Sequence, residues 1–322
     1  MHLKPSFKFV DNLGGNLGII LTQSLGLTGI LQFVVRQYAE MENAMTSVER
    51  VLEYEALEQE PEDHCITPPP NWPEHGKIVF DSISLRYSHD LLILNDINLV
   101  IKPREKVGIV GRTGAGKSSI INALFRLSEF SGSIAIDGID TKTVPLSELR
   151  SKISIIPQQP TIFSGSVRNN LDPFREYSDD ILWKTLENVE LKDPVNDLPS
   201  GLNSIVTEGG ANFSIGQRQL VCLARAMLRK NKILVLDEAT ANVDPKTDLL
   251  IQRNVRENFS DCTVLTIAHR LDTVIDSDKI LVIDGGKVVE FDHPRVLLQD
   301  CDGVFYAMVN QTGRRNVCEN GK

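Results

Sequence analysis

One stretch decides the fold of this chain: Gly111-Arg112-Thr113-Gly114-Ala115-Gly116-Lys117-Ser118-Ser119. The apolar run before it, at 106–110, is typical of a buried strand, and the apolar spacing of 120–127 after it predicts a packed helix. Strand, glycine-rich turn and helix are the context that a phosphate-binding loop, or P-loop, requires. Glycines let successive backbone N–H groups turn toward phosphate oxygens, and the helix N-terminus adds the positive end of its dipole.

Four side chains suit the chemistry of a nucleoside triphosphate. Lys117 can reach the β- and γ-phosphates, and the hydroxyl of Ser118 can bind Mg²⁺. An ordinary glycine turn is the alternative interpretation, which the flanking strand and helix disfavour. Asp237 and Glu238 end a later apolar strand. A carboxylate there can hold Mg²⁺, and its neighbour can orient or deprotonate the attacking water.

Gln158, His269 and Tyr87 are unremarkable in isolation, because each type is common at ordinary surface or core positions. Gln158 and His269, however, both follow predicted parallel strands, where α/β sheets place their ligands. The ring of Tyr87, before the first strand pair, can stack on adenine. These three residues are therefore candidates for the same site.

The composition of the 322 residues disfavours several classes of protein. A formal net charge of −9 argues against a broad nucleic-acid-binding face, which needs a basic surface. The five cysteines are scattered without a Cys-x-x-Cys pair, which disfavours a disulfide framework and a zinc site and fits a reducing cytosol. The first five residues lack the apolar core and cleavage site of a signal peptide.

The N-terminal part of the chain predicts a membrane segment. Residues 12–35 carry no charge and are long enough to cross a bilayer as a helix, although polar residues and glycines interrupt them. A buried helix of a soluble domain is the alternative. We expect the end of a membrane domain and a connecting helix at 1–60. The proline-rich segment 61–76 predicts a linker, because its prolines exclude a regular helix or central strand.

The second domain, expected at 77–311 with a tail at 312–322, alternates strands with helices. Strands are expected at 77–87, 97–101, 106–110, 133–136, 154–156, 232–236 and 263–267, with two more around the turn Asp284-Gly285-Gly286. Helices are expected from the P-loop to near Gly132, within 166–197, at 214–229 and at 294–311. This alternation predicts a mainly parallel α/β core that carries a helical insertion.

Residues 212–220, Asn-Phe-Ser-Ile-Gly-Gln-Arg-Gln-Leu, resemble the LSGGQ signature loop of the ATP-binding cassette (ABC) proteins. The resemblance covers nearly all of 77–311. It includes the A-loop Tyr87, the Walker A run Gly111 to Ser119, the Q-loop Gln158, the Walker B run Ile233 to Glu238, the D-loop Ala241-Asn242-Val243-Asp244 and the H-loop His269. It implies a P-loop NTPase cassette with a RecA-like core, an antiparallel β subdomain and a helical subdomain, preceded here by one transmembrane helix.

The resemblance also implies roles for individual residues, with ATP and Mg²⁺ as cofactors. Glu238, His269 and Gln158 would be catalytic, and Ser118, Gln158 and Asp237 would hold the metal. ATP would contact Tyr87, Gly111, Arg112, Thr113, Gly114, Ala115, Gly116, Lys117, Ser118, Ser119 and Asp237. Because two cassettes of this family pair head to tail, Ser214, Gly216 and Gln217 would contact the ATP of the opposite cassette.

Finer details resemble the second cassette of subfamily C, the multidrug-resistance-associated exporters. These details lie at 68–73, 107–119, 170–174 and 212–226. The resemblance implies an ATPase that drives export of organic anions or drug conjugates across the plasma membrane, with its cassette in the cytoplasm. Implied partners are a first nucleotide-binding domain, the other membrane domains, membrane lipid and a small organic anion, but no nucleic acid.

Two residues depart from the signature. Ile215 replaces a glycine and Phe213 the leading leucine, and the branched Ile215 side chain is expected to hinder approach of the backbone to phosphate. Other members of the subfamily gate channels, so a regulatory cassette is an alternative, as is a non-transporting truncated fragment. A soluble ABC ATPase is disfavoured by the acidic charge and the apolar N-terminal segment. The chain looks like the C-terminal portion of a longer transporter.

Overall fold

The computed structural model describes residues 7–57, 60, 66–88, 91–239, 243–268 and 271–311. The contacts within the chain divide it into two compact units, Met1–Pro61 and Glu62–Lys322. The helices are α1 Phe7–Glu55, α2 Lys117–Leu124, α3 Leu146–Ser151, α4 Val167–Leu171, α5 Asp179–Asn188, α6 Lys192–Asn196, α7 Ile215–Arg229, α8 Pro245–Asn258, α9 Pro294–Leu297 and α10 Val304–Gln311. The strands are β1 Ile78–Ser88, β2 Leu91–Ile101, β3 Lys106–Gly111, β4 Phe130–Ile136, β5 Ile139–Asp140, β6 Ile153–Ile156, β7 Gly165–Ser166, β8 Ile205–Val206, β9 Ile233–Asp237, β10 Thr263–Ile267, β11 Lys279–Asp284 and β12 Lys287–Asp292.

In the described residues of the first unit, one long helix, α1, is present. Its large apolar side chains between Leu17 and Val35 are exposed. The hydroxyls of Thr22 and Thr28 donate to the carbonyls four residues earlier, at 2.8 and 3.0 Å, so these polar groups are satisfied within the helix. By length and composition, the described part of α1 is a candidate membrane span.

A six-stranded sheet, in the order β12-β11-β3-β10-β9-β6, forms the core of the second unit. All neighbours are parallel except β12, which returns antiparallel to β11 after the turn at 284–286. The central strands are buried because both faces of the sheet are covered: Val235 and Leu265 lie in one apolar core with α2, and Leu234 and Leu236 lie in a second core with α7 and α8. Ile267 pairs with Ile109 and with Asp237, so three strands end along one edge.

An antiparallel sheet, β2-β1-β4-β5, packs against the central sheet in a shared apolar core that includes Ile78, Phe80 and Ile109. The turn between β4 and β5 also fixes the segment that precedes β1. The carboxylate of Asp137 accepts from the backbone N–H groups of His75, Gly76 and Lys77 at 2.8, 3.0 and 2.7 Å. Burial alone would raise the pKa of Asp137, but these hydrogen bonds lower it below its usual value.

A helical region with its own core connects β6 to β9. The buried faces of α5 and α7 meet there, through Leu182, Leu186 and Leu223 among others. Phe213 is also buried in this core, so the aromatic ring in place of the signature leucine fills an apolar position. The helices expected within 166–197 and at 214–229 are thereby confirmed.

Two predictions about helices were wrong, one about where a helix ends and one about its continuity. The P-loop helix α2 ends at Leu124 rather than near Gly132, because Arg126 is left-handed (φ 51°) and the N–H groups of Arg126 and Leu127 bond back to Ala123 and Asn122. This is a Schellman C-cap. The helix expected over 294–311 is two helices, α9 and α10, with a turn between them.

Local hydrogen bonds explain the break between α9 and α10. Asp300 accepts from the backbone N–H of Asp302 at 3.2 Å and of Gly303 at 3.1 Å, which diverts the chain into a turn. The carboxylate of Glu290 then accepts from the N–H groups of Val304 and Phe305 at 2.5 and 3.1 Å. A new helix N-terminus is therefore satisfied at Val304.

Candidate nucleotide-binding site

Glycines allow the P-loop to pack tightly between the two sheets. A Cβ atom at Gly111 would lie 2.3 Å from the carbonyl oxygen of Ile283 in β11. A Cβ atom at Gly116, the left-handed N-cap of α2 (φ 106°), would lie 2.8 Å from a methyl group of Leu94 in β2. Larger residues are excluded at both positions, so the loop is held where α2 begins.

The side chains of the P-loop point in different directions. The Nζ of Lys117 donates to the carbonyls of Gly111 and Arg112 at 2.9 and 3.1 Å, so the ammonium lies within the curve of the loop. Ser118 is exposed in the first turn of α2, whereas Ser119 is buried. An ammonium beside the backbone N–H groups of the loop and an exposed hydroxyl can bind phosphate oxygens and a cation.

Tyr87 lies against the first turns of α2. Its hydroxyl donates to the Oγ of Ser119 at 3.4 Å and accepts from the Nδ2 of Asn122 at 2.6 Å. Half of the Tyr87 residue surface remains exposed. The structure therefore brings this aromatic ring and the P-loop together, and Asn122, which the sequence reasoning missed, holds the hydroxyl.

Two predicted residues from different strands meet at the carboxyl edge of the sheet. The Nε2 of Gln158, after β6, donates to the Oε2 of Glu238, after β9, at 2.8 Å. Glu238 adopts a left-handed backbone (φ 46°), and its N–H donates to the carbonyl of Ile267 at 3.1 Å. Burial, and then the charge of Glu238, raise the pKa of Asp237 above its usual value.

Some predicted residues cannot be placed. His269 and the Ala241-Asn242 part of the D-loop lie outside the described residues. The backbone N–H of Ala268 donates to the carbonyl of Ile109 at 3.2 Å, so the chain just before His269 runs beside β3. Asp244, at the end of the D-loop, caps α8 through the N–H of Thr247 at 3.0 Å.

The signature residues form the start of α7. Ser214 and Gln217 make a capping box: the Oγ of Ser214 accepts from the Gln217 N–H at 3.1 Å, and the Gln217 Oε1 accepts from the Ser214 N–H at 2.9 Å. A Cβ atom at Gly216 would lie 3.0 Å from the hydroxyl of Thr247, so the first turns of α7 and α8 are in contact. Ile215 is 47% exposed beside them.

Sequence reasoning also missed the residues that connect α7 to the loop at Gln158. The side chain of Gln219 donates to the carbonyl of Pro157 at 2.9 Å, and Arg225 donates to the carbonyl of Thr161 at 2.7 Å. Both residues lie on a helix whose other inward positions are apolar. A polar residue at such a position indicates a buried partner, although the sequence does not identify that partner.

Comparisons with known proteins agree with these motifs. A sequence profile described as ABC transporter matches residues 94–241. The chain is 58% identical over 317 residues to the "Probable multidrug resistance-associated protein lethal(2)03659" of Drosophila melanogaster, which covers 96% of this chain and 23% of that protein. It is 57% identical over 302 residues to "ATP-binding cassette sub-family C member 4" of Homo sapiens, over 93% of this chain and 23% of that protein.

A solved structure agrees as well. The "Structure of a bacterial Atm1-family ABC exporter with ATP bound" matches with a TM-score of 0.74 at 30% identity, over 84% of this chain and 47% of that one. This chain therefore spans less than a quarter of the curated relatives above and about half of the structural match.

Proposed function

Because this chain carries a cassette of the ABC transporter family, we propose that it is the second ATP-hydrolysing cassette of a multidrug-resistance-associated exporter. The α/β cassette fold expected from the sequence, with its antiparallel and helical parts, is confirmed. ATP is the nucleotide that such a cassette binds. We propose that its hydrolysis drives the export of organic anions or drug conjugates.

The hydrogen bond between Gln158 and Glu238 is the observation that carries this proposal. It places a carboxylate with an oriented amide on the same sheet edge as the P-loop, where a γ-phosphate would face them. Glu238 can then accept a proton from the attacking water, while Gln158 holds the carboxylate in position. Lys117 binds the β- and γ-phosphates and offsets their charge.

The residues present fit Mg²⁺. Ser118, Gln158 and Asp237 offer a hydroxyl, an amide oxygen and a carboxylate, which are the oxygen ligands that Mg²⁺ prefers. Burial, and then the charge of Glu238, hold the pKa of Asp237 above its usual value, and a bound cation would offset both effects on the charged carboxylate. When bound, the metal would neutralise charge on the β- and γ-phosphates. We further assign a catalytic role to His269.

The proposed partner is a first cassette with an intact signature. The partner's signature loop would cover the ATP bound at Tyr87 and residues 111–119. In return, Ser214, Gly216 and Gln217 would contact the ATP bound by the partner. The exposed Ile215 side chain stands where a glycine would let the backbone approach phosphate, which supports a weaker second site. Ser214, Gly216 and Gln217 lie at a helix N-terminus, which suits an anionic γ-phosphate.

We propose that α1 spans the membrane at 12–35, with the cassette on the cytoplasmic side of the plasma membrane. Its exposed apolar side chains suit contact with lipid or with other membrane helices. The proposed divisions are the membrane domain and connecting helix at 1–60, the linker at 61–76, the cassette at 77–311 and the tail at 312–322. The relatives are about four times longer, which supports additional domains as partners.

The decisive experiment measures phosphate release from Mg-ATP by the chain in detergent or liposomes, alone and with a purified first cassette. We expect little turnover alone and a clear rise on addition of the partner. The same mixture with Lys117→Ala should show no rise. Strong turnover by the isolated chain, or none with any partner, would contradict the proposed pairing.

A further inference from the structure

We propose that Gln219 is a positioning residue that couples the signature end of α7 to the Gln158–Glu238 pair. This inference rests on the proposed function, since it assigns Gln219 a role in the same hydrolytic site. Gln219 lies in α7, five residues after Ser214, and does not itself contact the reacting groups.

The environment of Gln219 is unusual for an amide side chain. Only 1% of the residue is exposed, and its Nε2 donates to the carbonyl of Pro157 at 2.9 Å. Pro157 lacks an N–H and directly precedes Gln158, so its carbonyl is the backbone group through which a hydrogen bond can hold this residue. A buried amide is retained at such a position only if its hydrogen bond is made.

A second contact holds the far end of the same loop. The guanidinium of Arg225, also in α7, donates to the carbonyl of Thr161 at 2.7 Å and to the Oδ1 of Asn170 at 2.8 Å. The loop from Pro157 to Thr161 is thus attached at both ends to one helix. Its position follows α7 rather than β6 alone.

These contacts connect two ATP sites through one rigid element. The capping box of Ser214 and Gln217 fixes the α7 end that would meet the opposite ATP. If contact with phosphate shifts this end of α7, Gln219 shifts with it. Gln219 is hydrogen-bonded to the Pro157 carbonyl, so the shift reaches the neighbouring Gln158. Gln158 in turn holds Glu238 at 2.8 Å. Engagement of the opposite ATP therefore adjusts the base of this cassette's own site.

The first test does not need activity. Gln219→Met removes the amide at similar side-chain length, and Asn254→Leu is the matched control, because Asn254 is also buried and donates to a carbonyl of its own helix at 3.0 Å. Hydrogen exchange of the backbone amides of residues 158, 159 and 161–163 is measured by mass spectrometry in the full chain, since Pro160 has no amide hydrogen. We expect exchange to rise about fivefold or more in Gln219→Met and not in the control.

Gln219→Asn, whose amide is too short to reach Pro157, serves as a second variant with a smaller change of shape. Unchanged exchange in a folded Gln219 variant would overturn the proposal, whatever the activity of the chain. An equal rise in Asn254→Leu would also overturn it, because general destabilisation would then explain the effect.

The second test measures ATP turnover with a first cassette present. We expect Gln219→Met to lower kcat about tenfold and to leave the affinity for a fluorescent ATP analogue unchanged. In a Gln158→Ala background the same substitution should have no further effect on kcat. Additive effects would show that Gln219 acts elsewhere. A wild-type chain without turnover would contradict the proposed function instead, and the exchange test would still decide the role of Gln219.

Discussion

Glu238→Gln isolates the proposed base from the rest of the site. The substitution keeps an oxygen that can accept from the Gln158 Nε2, now at 2.8 Å from Oε2, and it leaves the backbone bond to Ile267 in place. Size and fold are therefore preserved. The substitution removes the negative charge and with it the capacity to take a proton at neutral pH.

The expected loss follows from that single change. A positioned general base contributes about 10²–10⁴-fold to a rate, which corresponds to about 3–5 kcal/mol of transition-state stabilisation. The proposed nucleotide binding depends on Lys117 and the P-loop amides, which the substitution does not touch. We therefore expect that ATP affinity is unchanged and that turnover falls about 10²–10⁴-fold.

The assay combines phosphate release, with a first cassette present, and titration of a fluorescent ATP analogue. Glu257→Gln is the matched control, because it removes the same charge from an exposed residue that pairs with Arg253 on the surface of α8. The control should keep wild-type turnover. Turnover of Glu238→Gln near the wild-type value would refute the assignment of the base, and a parallel loss of affinity would refute the separation of binding from catalysis.

Three further substitutions test other parts of the structure. Lys117→Ala should abolish tight binding of the ATP analogue, because it removes the charge placed against the phosphates; equal affinities would contradict the P-loop assignment. Asp137→Asn should cost about 1–2 kcal/mol of unfolding free energy at pH 7, discounted for its partial exposure. Since the folded pKa of Asp137 is lowered, that difference should shrink as pH falls below the unfolded pKa of about 4, and a constant gap would argue against the carboxylate. Ile215→Gly should raise turnover of the isolated chain more than that of its mixture with a first cassette, and no response in either would show that Ile215 is tolerated.

Much of the fold was predictable because local and long-range signals agree in the central sheet. Residues 233–236 are apolar throughout, and residues 263–267 are β-branched or apolar, a composition typical of strands covered on both faces; they form β9 and β10. The glycines of 111–116 and the helix after them likewise permit one local structure. The local sequence of such segments is enough to predict their secondary structure.

The remaining features depend on partners distant in sequence. Residues 300–303 form a turn, and α10 begins anew, because Glu290 in β12 supplies the acceptors for its first N–H groups. The helix α8 is a different case: its start signals, Asp244 as N-cap and Pro245 as first residue, are local, yet it went unpredicted. The link between Gln219 and Pro157 also spans the helical region. Periodicity cannot indicate which distant carbonyl an amide will meet.

The capping box clarifies what Ile215→Gly can measure. Ser214 Oγ accepts from the Gln217 N–H, and a hydroxyl that accepts still has its own proton to donate, so capping α7 and contacting a phosphate are compatible roles. Ile215 takes no part in that box, and its side chain is 47% exposed. Replacing it with glycine therefore costs helix stability of at most about 1 kcal/mol while the cap persists. If Ile215→Gly changes turnover while the capping box persists, the change is due to the access of phosphate to the N-terminus of α7. It is then not due to a loss of helix stability.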